Sequence, residues 1–102
     1  AVSVFFPDPW PKKRHHKRRL LQAAFFSELA RVLARNGRLY VATDWADYAE
    51  EIAALVETLP AWCNLAGPGR RAPRLKTRVL TKFERRAQRE GRAVADFVFA
   101  LR

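Results

Sequence analysis

The chain has 102 residues, with Lys+Arg 20 against Asp+Glu 10, a formal net charge of +10 and a sequence pI of about 11.1. Hydrophobic residues at 49% and charged residues at 29% exclude a disordered chain, and Gly 4 with Pro 6 excludes a collagen-like or low-complexity one. No apolar stretch is long enough to span a membrane and no signal-peptide pattern is present; the single Cys63 excludes an internal disulfide, which fits a reducing cytoplasm, and with the adjacent His15 and His16 it makes no credible zinc site.

The charge is unevenly placed. Residues 1–37 carry eight basic and two acidic side chains, residues 38–66 one basic and five acidic, and residues 67–102 eleven basic and three acidic. Two basic blocks flanking an acidic middle point to a polyanionic partner, because each Lys or Arg that meets a phosphate releases a condensed counterion.

In chain order, AVSVFF over 1–6 reads as a buried strand already in progress at Ala1, stopped by Pro7 and Pro9 around Asp8. A basic loop, 7–19, holds the run KKRHHKRR. A helix over 17–35 is predicted with Leu21, Phe25, Leu29, Val32 and Leu33 on its apolar face, and Asn36-Gly37 suits its end. A strand over 38–43 follows. Asp44 is placed to cap a helix over 45–59 whose buried face is Trp45, Tyr48, Ile52, Leu55 and Leu59, with Pro60 as the stop. Residues 62–65 suit a short strand, and 66–80, with GPGRRAPR, a loop. A short polar helix is expected within 81–90 and a last strand over 93–101.

This order of strands and helices predicts right-handed crossovers and a largely parallel sheet, an α/β fold. Such sheets bind ligands beyond the carboxyl ends of their strands. That rule sets Asp8, Asp44 and the basic run at one rim. Each has a plain alternative: a turn former for Asp8 in D-P-W-P, a helix cap for Asp44, and a solvated charged loop for KKRHHKRR. Trp10 suits core packing, and His15 and His16 face solvent or phosphate.

FPDPWPKKRHHKRR, then ATDWADYAE, then TKFERR, in that order, resemble the tRNA (guanine-N(7)-)-methyltransferase family. The resemblance implies transfer of a methyl group from S-adenosylmethionine (SAM) to N7 of guanine 46 in tRNA. It implies the C-terminal half of a class I SAM-dependent methyltransferase, a Rossmann-like sheet with flanking helices, read as a truncated chain starting at the fourth strand. The family's glycine-rich SAM loop and ribose-holding acid are then expected upstream, and the isolated chain is expected to be inactive. Position by position, Asp8 matches the active-site aspartate beside SAM. Lys12, Asp44, Thr81, Lys82, Phe83 and Glu84 match substrate-binding positions, and Arg14, His15, His16, Lys17, Arg18 and Arg19 match the stretch that contacts tRNA. No metal is implied. Ala87 stands where the family usually has Gly, Glu90 replaces an apolar residue, and GRRAPRLKTRVL before Thr81 is unusually basic.

The residues suit that chemistry independently. Guanine N7 already carries a lone pair, so methyl transfer needs no base to remove a proton first, only positioning and electrostatics. Two other classes compete: a non-enzymatic basic RNA-binding module, and an adaptor for membrane surfaces or acidic proteins. The adaptor fits poorly, since the cations sit in loops rather than opposite an apolar helix face.

Overall fold

The computed structural model describes residues 2–33, 37–74 and 82–102, with the side chains of Lys82 and Phe83 excepted. Four strands form one sheet: β1 (Val2–Phe5), β2 (Arg38–Thr43), β3 (Trp62–Asn64) and β4 (Ala95–Leu101). A 3-10 helix (Lys13–Arg18) and α1 (Ala23–Val32) join β1 to β2, α2 (Ala46–Glu57) joins β2 to β3, and α3 (Lys82–Arg89) precedes β4.

The order across the sheet is β1-β2-β4-β3. β1 pairs with β2 in parallel, Val4 opposite Val41, as a helical crossover requires. β4 runs antiparallel to both of its neighbours, with Val41 opposite Phe97 and Trp62 opposite Leu101. The expectation of a largely parallel sheet therefore fails at one strand, while the α/β class holds. Burial explains the insertion. β4 is the longest strand and its first three residues, Ala95, Asp96 and Phe97, are all buried, which suits a central slot, whereas the three-residue β3 can serve only at the edge.

One core lies where α1 and α2 meet the sheet. Leu39 and Val41 of β2 share a face with their cross-strand partners Phe99 and Phe97, and Phe26, Leu29, Tyr48, Ile52 and Val56 close over them. Phe26 meets Trp62 and Phe99 edge-on, ring centroids 5.4 and 6.0 Å apart, and the Trp62 indole donates to the Phe26 carbonyl at 3.2 Å. The Tyr48 hydroxyl accepts the Leu21 N–H at 3.0 Å, and burial pushes its ionisation above the ordinary tyrosine range.

Two helix expectations need correction. α1 begins at Ala23, not Lys17, because the cations of KKRHHKRR oppose the positive end of the helix dipole; they take a 3-10 turn instead. The Gln22 amide closes that turn, donating to the carbonyls of Lys17 and Arg19 at 2.6 Å each. From the later start, Phe26 and Leu29 become the buried pair, Phe25 and Leu33 flank them, and Val32 is 78% exposed. The predicted end near Arg35 lies outside the described residues. Nor does Asp44 cap α2. Trp45 is the N-cap residue, its N–H is taken by Thr43 Oγ1 at 3.2 Å, and Asp47 Oδ1 takes that of Tyr48 at 2.8 Å.

Arg19 fastens the basic turn to α2. Its side chain has no solvent exposure; it donates to Pro9 O at 2.6 Å, Glu51 Oε2 at 2.6 Å and Asp47 Oδ2 at 3.0 Å, and its guanidinium lies 4.6 Å from the Tyr48 ring centroid. The hydrogen bond from Arg19 is the main reason the Asp47 carboxyl sits below the usual carboxylate range; partial burial opposes it, while Arg19's charge, the Tyr48 N–H and His16 reinforce it.

Arg19→Ala is expected to lower unfolding free energy by about 2–3 kcal/mol, less than for a fully dry pair because both carboxylates keep solvent contact. Urea titration measures it. The depressed Asp47 carboxyl contributes stability above the ordinary carboxylate range, and that contribution is lost as pH falls through its folded value. Asp47→Asn should therefore cost on the order of 0.5 kcal/mol at pH 7 and progressively less as the pH is lowered below the ordinary carboxylate range, read as the difference in urea midpoint from wild type.

Candidate active site

Beyond the carboxyl end of β1 the chain makes a constrained turn. Phe6 still donates to Ala42 O at 2.7 Å, then Pro7 and Pro9 fix the backbone on either side of Asp8. Phe6 and Trp10 both adopt positive φ, 53° and 41°. For bulky residues each such conformation costs on the order of 1–3 kcal/mol, and it persists only where the surroundings enforce it. Asp8 Oδ1 accepts the Trp10 N–H at 3.1 Å, so the turn-former role is real. The Asp8 side chain nevertheless stays exposed at the rim.

The second carboxylate comes from the end of β2. Asp44 follows Thr43 directly, and its side chain is 11% exposed. Its partner is Arg92, whose Nε donates to Asp44 Oδ2 at 2.8 Å. Arg92 arrives from the far end of the chain through the stop of α3: Gly91 at φ 75° passes its N–H to Gln88 O, and the Arg92 N–H returns to Ala87 O at 2.8 Å. This paired arrangement is the glycine-terminated helix end that satisfies the last carbonyls.

Asp8 and Asp44 line one open cavity of about 360 Å³ together with Phe6, Pro7, Pro9, Trp45, Arg86 and Arg92. A second cavity, about 240 Å³ and mostly apolar, lies alongside and shares Asp44, Trp45 and Arg92 with the first. Two carboxylates and two guanidiniums thus face a space with an indole and a phenyl ring in its wall. Such a site can take hydrogen bonds from a base edge and hold an adjoining anion.

The basic turn leaves this same rim. Lys12, Lys13, Arg14, Lys17 and Arg18 are exposed, and His15 and His16 are half-buried. Arg18 stacks over Trp10 at 5.1 Å and His15 meets its edge at 5.6 Å, so Trp10 braces the turn rather than filling the core. His16 Nε2 is 3.2 Å from Pro11 O and 3.9 Å from Asp47 Oδ2. Arg19, placed by the sequence among the RNA-contacting cations, is the exception: it is buried against α2 and faces no solvent. Lys12 does not line the cavity. Glu84 is 2% exposed, accepts from Arg74 Nε at 3.0 Å and stays out of the cavity wall as well. Thr81 lies outside the described residues, while Lys82 and Phe83 open α3. In the basic loop, 75–80 are outside them too; Arg70 and Arg71 are exposed, and Arg71 lines the second cavity.

Arg86, Arg92 and Trp45 were missed by the sequence reading. Gly91 after a polar helix was the one available signal, since a glycine stop sets the direction of the next residue. Gly67-Pro68-Gly69 lies in a turn after β3, as the loop reading of GPGRRAPR expects. Among the described residues no group of three His, Cys, Asp or Glu comes together, and no helix is long and apolar enough to cross a membrane.

Comparison with known proteins gives a consistent result. A family model described as "Putative methyltransferase" matches residues 1–97. A tRNA (guanine-N(7)-)-methyltransferase of Halorhodospira halophila is 50% identical over 102 residues, which is all of this chain and 44% of that protein. One of the same name from Leifsonia xyli subsp. xyli is 48% identical over 96 residues, 94% of this chain and 42% of its own length. Another, from Alkalilimnicola ehrlichii, is 50% identical over 102 residues, the whole chain and 43% of the relative. The chain therefore spans less than half the length of the curated relatives it matches.

The α3 stop that delivers Arg92 depends on Gly91. A Cβ there would meet nothing within 4 Å, so Gly91→Ala carries only the left-handed backbone penalty. Its expected cost is about 1 kcal/mol, measured as a lowered thermal midpoint without loss of cooperativity.

Proposed function

Because the chain belongs to the methyltransferase family whose model spans residues 1–97, we propose that it is the base-receiving and RNA-gripping portion of a SAM-dependent tRNA (guanine-N(7)-)-methyltransferase. The observation that carries this reading is the convergence of Asp8, Asp44 and the exposed cations of residues 12–18 on one rim of the sheet. The names of the relatives support the substrate.

SAM, when bound, supplies an electrophilic methyl group on a sulfonium. The cavity suits its reactive end: it has room, an aromatic and proline wall, and an exposed carboxylate that favours a cationic group. Asp8 is the residue we place there, as the active-site and SAM-binding aspartate. One of its oxygens is used by the Trp10 N–H, and the other can accept from the SAM ammonium or from guanine's N1–H and N2–H donors. Asp44 is placed on the base in the same way. With the Watson–Crick edge held, N7 points away from the carboxylates. The positive charge that the ring gains on methylation is then stabilised by the two anions near it. No proton is moved before the methyl transfers.

The exposed cations Lys12, Arg14, Lys17 and Arg18, with His15 and His16 beside them, are assigned to the tRNA backbone. Arg19 is assigned to holding their turn against α2. Lys82 and Phe83, at the head of α3, and Thr81 before them are assigned to closing over the base. Glu84 serves that element from inside through Arg74. A tRNA substrate places the working protein in the cytoplasm, and the resident chemistry calls for no metal.

The test uses a full-length enzyme in which this chain replaces the matching stretch of the Halorhodospira halophila relative. It is expected to methylate tRNA from radiolabelled SAM, and Asp8→Ala to lower kcat by about 10²–10³-fold with folding retained. Near-wild-type turnover of Asp8→Ala removes Asp8 from the chemistry. Removing Lys17 or Arg18 is expected to weaken tRNA binding and to flatten its salt dependence by roughly one unit of log–log slope per cation. Tight tRNA binding without methylation in any form of the protein would favour the RNA-binding module instead.

A further inference from the structure

We propose that Arg92 is a positioning residue for the target base, acting through Asp44; the inference rests on the function proposed above. Four observations converge on it. Arg92 donates through Nε to Asp44 Oδ2 at 2.8 Å, across 48 positions of sequence, and its Nη1 pairs with Glu90 Oε2. Glu90 in turn takes Arg86 Nε on its other oxygen at 3.0 Å. The result is an alternating chain of charges, Arg86, Glu90, Arg92 and Asp44, that runs from α3 to the end of β2. The Arg92 backbone is set by the Gly91 stop, so the guanidinium is delivered from a fixed point rather than from a flexible loop. Finally, Asp44 and Arg92 belong to the walls of both cavities, and so stand between them.

An aspartate at a strand end has two rotatable bonds and two equivalent oxygens. Left alone, it would present either oxygen to solvent in several orientations. A charge-assisted hydrogen bond to Oδ2 removes that freedom, and among the described residues Oδ1 takes no hydrogen bond. Arg92 therefore leaves a single oriented acceptor, the geometry that an N–H donor on a purine edge requires. The same pair carries a second consequence. Because Arg92 follows α3 directly, the helix that opens with Lys82 and Phe83 is tied to the carboxylate that receives the base. Asp44 and the closing element are thereby held at a fixed mutual distance.

A residue that orients a ground-state contact should act on substrate affinity rather than on the chemical step. In the full-length hybrid enzyme, Arg92→Ala is expected to raise KM for tRNA about tenfold. It should leave kcat within about threefold and KM for SAM within twofold. Arg92→Lys keeps the charge but not the planar donor, so an intermediate rise of about threefold is expected. Asp44→Asn should raise KM for tRNA at least as far as Arg92→Ala and, having removed an anion near the ring, lower kcat as well. The double variant should be no worse than Asp44→Asn alone, since Arg92 acts only through Asp44. Circular-dichroism melting establishes that each variant is folded. If Arg92→Ala unfolds, Arg92→Lys and Arg92→Gln carry the same comparison. An unchanged tRNA KM, an equal rise in the SAM KM, or additive effects in the double variant would overturn the proposal while the wild-type hybrid still methylates. A wild-type hybrid that binds tRNA but never methylates it would overturn the functional reading, and this proposal with it.

Discussion

A guanidinium without solvent contact must be surrounded by acceptors, because a buried uncompensated charge costs several kcal/mol. Arg19 meets this requirement from two sides. Pro9 O belongs to the turn that presents Asp8, and Asp47 and Glu51 belong to α2. One side chain thus joins the rim of β1 to the helix that follows β2. The ring of Tyr48 beneath it completes the seat, and the Tyr48 hydroxyl holds the backbone at Leu21 where the chain turns into α1. With Arg19 in place, the exposed cations before it are arrayed on a fixed ledge beside the cavity. Without it, residues 9–18 would have little to hold them, since their 3-10 helix buries nothing.

The antiparallel insertion of β4 is the second constraint, and it works at the opposite wall. A parallel strand in that slot would enter from the far end of the sheet. Running antiparallel, β4 begins beside Thr43, its Ala95 paired with that residue, so the segment just before it must pass the end of β2. Arg92 lies in that segment, three residues ahead of β4. The sheet topology therefore explains why a side chain so distant in sequence meets Asp44, and why α3 ends at the cavity at all.

The class of fold was legible in the sequence because hydrophobic periodicity reports it directly. Val2 and Val4, Leu39 and Val41, and Tyr48 and Ile52 show their spacing without help from neighbours. Val56, however, is buried in α2 where Leu55 and Leu59 were expected, and those two, with Trp45, are only partly buried. Asp8 and Asp44 could be set on one rim by the strand-end rule alone, and they do share a cavity. What could not be read was pairing. Nothing local distinguishes Arg19 from Arg18, yet one is buried and the other stacks on Trp10 in solvent. Asp44 looked like a helix cap because Asp before a helix usually is one; Arg92, 48 positions away, claims it instead. The start of α1 was misplaced for a related reason: charge at a helix N-terminus is a small term per residue, and its sum over six positions is decided by whether a 3-10 turn with a Gln22 closure is available.

The strain at Phe6 and Trp10 fits the same logic. Two bulky residues at positive φ within five positions would cost more than an isolated turn returns, so the turn must be held from outside. Arg19 grips it at Pro9 O, Ala42 O grips it at the Phe6 N–H, and Arg18 and His15 close on the Trp10 ring. Each of these groups belongs either to the basic turn or to β2. A polyanion that neutralises the basic turn would relieve repulsion among the cations that supply part of this grip. The charge on the basic turn and the geometry of Asp8 are then linked through one short segment.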